Sequence, residues 1–320
     1  MFSKTRELLN VFGPFLGLIV VFLIFVFLAP SAFYSAYNLK TIITQTVIIG
    51  IGALGMTLVI ISGGIDLSVG SVIALATVTI AYVLNLEGSE PGFWMALLAA
   101  LAAIGIGALS GLFNGILSAV LRIVPFIVTL GTMQIARGVA KWLAHEQIVI
   151  TPPTWLNSLM NIDPEPAWLI FAPGVWILII LTVILYLVLR YTVFGRYVFA
   201  IGSNEKTARL CGINITLNRI IIYALCGAFV GISGIMQFAN LTVGDPTAAV
   251  GMELDIIAAV VIGGGSLQGG EGGAIGSLVG ALMMAILRNG CNLVGIPNYV
   301  QNIVIGAIII GAVAIDRLKH

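Results

Sequence analysis

The sequence runs to 320 residues, of which 60% are apolar and only 8% charged, where ordinary globular chains carry roughly 45–50% apolar and about 25% charged residues. Fourteen Lys and Arg against thirteen Asp and Glu leave a formal charge of +1, which excludes a nucleic-acid surface built on phosphate neutralisation. So few charges cannot cover the exterior of a water-soluble enzyme of this size either, so the chain is read as all-α, a polytopic helix bundle living in lipid.

A helix needs about 20 apolar residues to cross a ~30 Å hydrocarbon core, and the apolar runs allow about ten crossings. In chain order the predicted spans are Phe12 to Ala29, Leu39 to Ile61, Ser68 to Leu86, Phe93 to Leu121 and Pro125 to Leu143. Pro173 to Leu189, Ile220 to Leu241, Leu254 to Gly264, Ala274 to Cys291 and Tyr299 to Ile315 follow. The first run sits behind Lys4 and Arg6 like the start of a signal peptide, but lacks a small-residue cleavage site and is read as an uncleaved helix. The eighth is short and ends in Gly.

Lys and Arg in short loops set orientation. With the N-terminus inside, the inner segments hold Lys4, Arg6, Arg122, Arg190, Arg196, Lys206, Arg209, Arg219, Arg317 and Lys319. Outside remain Lys40, Arg137, Lys141 and Arg288, expected at helix ends where long side chains snorkel. The outer loops are acidic, with Glu87, Glu90, Glu146, Asp163 and Glu165. Both termini are therefore expected in the cytoplasm.

Between the second and third spans, Val59 to Ser71 reads VIISGGIDLSVGS. Gly63, Gly64 and Gly70 free the backbone from regular helix, and Asp66 and Ser68 need a partner or water at membrane depth. Asp66 has three possible roles: capping the next helix, pairing with a cation from another span, or lining the substrate path. A related interruption, VVIGGGSLQGGEGG, carries Gly263, Gly264 and Gly265 some 200 residues later. Matching Gly-interrupted segments in two halves point to internal repeats and a transport path; the alternative is tight turns where helices cross closely.

Two loops are long enough to do more than turn the chain. The outer one, residues 145–172, carries Pro152, Pro153, Pro164, Pro166, Trp155 and Trp168, suited to a rigid cap at the interface and to docking of an external partner. The inner one, residues 190–219, predicts a short helix from Asn204 to Cys211, with Asn204 as N-cap, Gly212 past its end, Glu205 in the first turn and Arg209 in the last. Such a helix outside the bilayer is a candidate docking element.

The wording of three blocks carries a resemblance. GMTLVIISGGIDLSVGSVIAL from Gly55 to Leu75 resembles the signature of permease subunits of bacterial ABC-type sugar importers, the ribose-transporter kind. GRYVFAIGSNEKTARLCGI from Gly195 to Ile213 resembles that family's cytoplasmic segment, and ELDIIAAVVIGGGSLQGGEGGAIGSLVGAL from Glu253 to Leu282 its third block. The resemblance implies one permease domain over residues 1–320, with ten spans, in the bacterial inner membrane. It also implies a second copy beside it (a heterodimer being the alternative), an ATP-hydrolysing subunit docked inside and a soluble binding protein delivering a monosaccharide or polyol outside. Gly195, Gly202, Asn204, Glu205, Arg209 and Gly212 would then serve coupling to the ATPase, and the glycines around Asp66 and at 263–265 the pore or a re-entrant segment.

No GxxxxGK[ST] occurs, so ATP hydrolysis is expected on a partner. No catalytic residue, cofactor or metal is expected. His145 and His320 are the only histidines, and Cys211, Cys226 and Cys291 fall at different depths, so they are read as small apolar residues and not as a disulfide. Ion-coupled transport would call for more ionisable groups within spans. A branched-chain amino-acid or nucleoside permease of the wider superfamily is the nearer rival, and a membrane subunit that moves nothing a further one.

Overall fold

A computed structural model describes the backbone of residues 2–88 and 91–319; the side chains of 2–12, 312, 313 and 315–319 lie outside that description. The expectations on Lys4, Arg6, Glu90, Arg317, Lys319 and His320 therefore fall outside the described residues. The helices are α1 (Phe2–Leu28), α2 (Ala36–Ile61), α3 (Val69–Leu84), α4 (Phe93–Val120), α5 (Pro125–Leu143) and α6 (Pro173–Tyr191). They continue as α7 (Val193–Ser203), α8 (Glu205–Leu210), α9 (Ile215–Leu241), α10 (Met252–Ile262), α11 (Ala274–Val294) and α12 (Asn298–Lys319). One antiparallel two-stranded ladder joins β1 (Val149–Ile150) to β2 (Val243–Gly244).

Among the described residues, five helical segments are long and apolar enough to cross a membrane: Ala36–Ile61, Phe93–Val120, Ala167–Tyr191, Ile215–Leu241 and Ala274–Val294. The chain is thus nearly all-helical with the composition of a multi-pass membrane protein. The expected eighth span is corrected. At 11 residues, α10 reaches only about 16 Å at 1.5 Å per residue, roughly half of the hydrocarbon core. The expected loop at 190–219 is also corrected, because Val193–Ser203 already forms α7 ahead of the short helix.

α2 is the buried axis. Ser35 caps it by accepting from Asn38 N at 3.2 Å, and from Thr46 to Ile61 every residue is buried, as an all-round apolar helix must be. Around it pack α6, α9, α10 and α11. A close crossing pairs α4 with α9. A Cβ at Gly111 would strike the Tyr223 carbonyl, and Gly107 and Gly227 would each strike the other's carbonyl. Glycines four apart let the two backbones touch, the device that replaces hydrophobic driving force in lipid.

Candidate functional site

α2 and α10 stop in the same way. At the end of α2, Gly63 N donates to Ile60 O and Gly64 N to Val59 O, with Gly63 at φ +81°. At the end of α10, Gly264 N donates to Val261 O and Gly265 N to Val260 O, with Gly264 at φ +94°. Both are Schellman ends that require a left-handed residue. Gly263 is a glycine for a different reason: α11 crosses so closely there that its Cβ would strike the Gly276 carbonyl. The glycines at 263–265 therefore stop a helix and admit a neighbour.

The two stops meet each other and the inner loop. Gly270 N donates to Ile61 O at 2.8 Å. Gly202, near the end of α7, packs so tightly on this pair that a Cβ would overlap the Ile61 carbonyl. A Cβ on Gly269 would lie 2.8 Å from the Gly202 carbonyl and 3.1 Å from Gly63 Cα. The structure thus brings Gly63 and Gly202, predicted separately, into one seam with Gly269 and Gly270. The reason for glycine at 202 is steric and not a positive φ, since Gly202 lies within helical α7.

α8 leads away from this seam. Asn204 ends α7 and caps α8, its Oδ1 accepting from Thr207 N at 3.0 Å. Gly212, at φ +82°, closes α8 with bonds from Gly212 N to Arg209 O and from Ile213 N to Ala208 O. Glu205 accepts from Arg209 Nη2 at 2.9 Å and from Arg219 Nη2 at 2.8 Å. Partial burial alone would push its carboxyl up, but the hydrogen bonds and charges of the two arginines outweigh that and hold it below the usual carboxylate range. Leu210, 88% exposed, stands at the tip of α8 beside exposed Cys211. Gly195 sits at the α6–α7 elbow, where a Cβ would strike the Leu189 carbonyl.

Asp66 is two residues upstream of the α3 cap position, which is Ser68. Its Oδ1 accepts from Ser68 N at 2.8 Å and from Ser68 Oγ at 2.5 Å. Its Oδ2 accepts from Asn114 Nδ2 at 3.3 Å, and Asn114 Oδ1 accepts from Thr132 Oγ1 at 2.6 Å. No cation is among its hydrogen-bonding partners in the described residues, so Asp66 ties α3 to α4 and α5 through neutral groups. The crevice walled by Asp66, Ser68, Val72, Ser110, Gly111 and Gly227 has no room for a water centre. Gly64 faces Tyr223, whose hydroxyl a Cβ would meet at 2.5 Å; that hydroxyl is the buried side-chain polar atom left without a partner among the described residues. Gly70 lies elsewhere, under the Glu253 carboxylate and the Ala249 carbonyl.

Sequence reasoning missed Asn114, Thr132, Tyr223, Gly269 and Gly270. It expected Arg288 to snorkel, but Arg288 is held within α11 by Asp255 of α10, Nε to Oδ2 being 2.9 Å. Arg137 is likewise inside α5, its Nη1 donating to Pro246 O and Ala248 O at 2.9 and 2.8 Å. Lys40 does sit at a helix start, 3.0 Å from Asp163 of the 145–172 loop. The spacing of Gly107, Gly111 and Gly115 was a readable signal for the α4–α9 crossing; nothing local marked Asn114.

Comparison with known proteins gives a concordant result. The family described as "Branched-chain amino acid transport system / permease component" matches residues 38–313. The chain is 40% identical to the ribose import permease protein RbsC of Escherichia coli K12 over 305 residues, 95% of this chain and 93% of that one. It is 37% identical to RbsC of Bacillus subtilis, covering 96% and 92%. It is also 35% identical to the galactose/methyl galactoside import permease protein MglC of Escherichia coli K12, covering 96% and 94%. No solved structure matches. The chain therefore belongs to the family described as "Branched-chain amino acid transport system / permease component" and is related to bacterial sugar import permeases.

Proposed function

We propose that this chain is the membrane permease of an ATP-driven importer, carrying a monosaccharide or related polyol across the bacterial inner membrane. Both termini are cytoplasmic, the 145–172 loop receives a soluble binding protein, and a second copy completes the path. The ATPase subunit docks on α7–α8, with Gly195, Gly202, Asn204, Glu205, Arg209 and Gly212 shaping that element. The sugar assignment draws on the ribose and galactose permeases among the relatives.

The observation that carries the mechanism is the seam at Gly202. α7 touches the end of α2 at Ile61 and the residues after α10 at Gly270. A push on α8 passes through the single junction residue Asn204 to α7, which meets both helix breaks. Rigid elements with close backbone contact transmit displacement because packed interiors are barely compressible. Exposed Leu210 at the tip of α8 gives the ATPase an apolar knob to hold.

The test is reconstitution of the permease with its ATPase and binding protein in vesicles, followed by uptake of labelled ribose, fructose, galactose and leucine. ATP-dependent accumulation of a sugar supports the reading. Accumulation of leucine alone favours the second reading, an amino-acid permease, which the family's description motivates. Uptake driven by a proton or sodium gradient without ATP would sink both.

A further inference from the structure

A second polar constellation lies away from the glycine seam, on α5 and the start of α10. α5 has 19 residues, yet it is not among the helices apolar enough to cross a membrane by composition. One side of it presents exposed Gly131, Gln134, Gly138 and Lys141, and nothing lies within 4 Å of where a Cβ would stand at Gly131 or Gly138. The same side also exposes Ile127, Ile135 and Trp142, so it is a mixed face on which the Gln134 amide needs water, a polar passenger or a neighbouring helix as its partner.

Arg137 stands on the border of that side. It uses Nη1 to hold the carbonyls of Pro246 and Ala248, in the segment that follows β2 back toward the start of α3. Among the described residues its other N–H groups make no hydrogen bond and no carboxylate comes within ion-pairing distance. Glu253 in the first turn of α10 is half-buried, with its carboxylate over Gly70. Ala249 at φ +57° and Gly251 at φ +82° turn the chain beside it, so that Val250 is 75% exposed and Leu254 49%.

We propose that Arg137 and Glu253, flanked by Val250 and Leu254, form a sugar-contact station on the translocation path. The chemistry fits a polyol. A guanidinium with free donors and a carboxylate that accepts from the backbone N–H groups of Glu253 and Gly251 yet keeps further lone pairs bind neighbouring hydroxyls, and the exposed aliphatic side chains cover the C–H face of the ring. The crevice beside Asp66, which admits no water centre, is too tight for this task. The station rests on the import reading given above and adds its substrate-contacting residues.

Two measurements test it. In a Cys211→Ser background, Val250→Cys is treated with a charged, membrane-impermeant thiol reagent in the assembled transporter. The expected result is labelling and loss of sugar uptake; absence of labelling places Val250 against lipid or protein and overturns the station. In vesicles, Glu253→Gln and Arg137→Lys are compared with wild type for uptake of ribose and its monodeoxy analogues, using the same binding protein. Loss of a contacted hydroxyl bond is expected to narrow the preference for ribose over one analogue by about tenfold. An unchanged preference with Val250→Cys labelled also overturns the station, since the path is then wet but not read there. If wild-type vesicles import no sugar at all, it is the import reading that fails, and the station with it.

Discussion

The buried cluster at Asp66 shows how one side chain can be judged by its partners. The sequence leaves Asp66 three roles, capping the following helix, meeting a cation or lining the path, and as a cap alone it could be replaced by Asn at little cost. The observed bonds point to a larger cost. Asn at 66 keeps an oxygen for Ser68 but turns an NH2 toward Asn114 Nδ2, which is itself a donor because Asn114 Oδ1 is taken by Thr132. Two buried donors face to face leave one unsatisfied, at about 1–3 kcal/mol. Asp66→Asn should therefore lower the thermal midpoint of the detergent-solubilised protein. The exchange Asp66→Asn with Asn114→Asp should recover part of the loss, because donor and acceptor trade places between 66 and 114 while the bond from Asn114 Nδ2 to Ser68 Oγ, 3.1 Å long, is given up. A single variant as stable as wild type, or an exchange no better than the single, refutes this account. Tyr223 predicts the opposite sign. Among the described residues its buried hydroxyl has no partner, so Tyr223→Phe removes an uncompensated polar group and should leave stability unchanged or raise it. A clear loss on unfolding Tyr223→Phe would mean the hydroxyl has a partner after all.

Among the elements, α7 carries a tight backbone approach at Gly202 and α8 an exposed tip at Leu210. Gly202→Ala places a methyl on the Ile61 carbonyl and beside Gly270 N, which must open the Gly270 N to Ile61 O bond. The variant should insert and bind the ATPase but transport poorly per ATP hydrolysed. Gly105→Ala, in α4 with nothing within 4 Å of its Cβ, is the control and should be neutral or gain up to about 1 kcal/mol of helix propensity. Equal transport per ATP in the two variants would remove the seam from the mechanism. In α8, Glu205 bonds Arg219 as well as Arg209, so reversing Glu205 and Arg209 together strands Arg219 against a new positive charge. Glu205→Gln is the cleaner probe. Because its folded carboxyl is held below the ordinary value by these arginines, the contribution is complete above the unfolded Glu pKa of about 4.3 and is lost as pH falls through the lower folded value. Protease nicking within 204–213 should stay flat from neutral pH to about pH 5 and rise only below the ordinary Glu value. Glu205→Gln should already show the rise at neutral pH. The caps of α8 were legible in the sequence because Asn204 and Gly212 act within one turn. So was the stop in α10, because the glycines from 263 onward end the predicted short eighth segment. The α7 helix was less so, since nothing in its composition separates it from the loop around it.

Across the whole molecule, the spans could be read because lipid demands long apolar runs, whereas their mutual arrangement could not. Asn38 and Asn289, which exchange hydrogen bonds between α2 and α11 across 251 positions, leave no local trace. Nor does the β1–β2 ladder that ties the 145–172 loop to the segment before α10. Once assembled, the chain has two chemically different ends. All five tryptophans gather at one: Trp94 at the start of α4, Trp142 at the end of α5, Trp155 and Trp168 in the loop, and Trp176 in the first turn of α6. That end also holds the Lys40–Asp163 pair and the bond from Asn85 Nδ2 to Ile150 O. The other end carries Arg122, Arg190, Arg196, Lys206, Arg209 and Arg219. Tryptophans anchor a helix at the interface, and Lys and Arg bias the side that stays in the cytoplasm, so the basic end should face inward. The chain carries its own reporter. Cys211 is exposed at the end of α8, while Cys226 and Cys291 are buried. An impermeant maleimide should label the native protein in inside-out vesicles and leave it unlabelled in right-side-out ones. Asp163→Cys in a Cys211→Ser background should reverse that pattern. The substitution is tolerable because it removes only a surface ion pair, worth about 0–1 kcal/mol. If both cysteines label from the same side, the two ends do not lie across a membrane, and the docking surfaces proposed for the ATPase and the binding protein would have to be reassigned together.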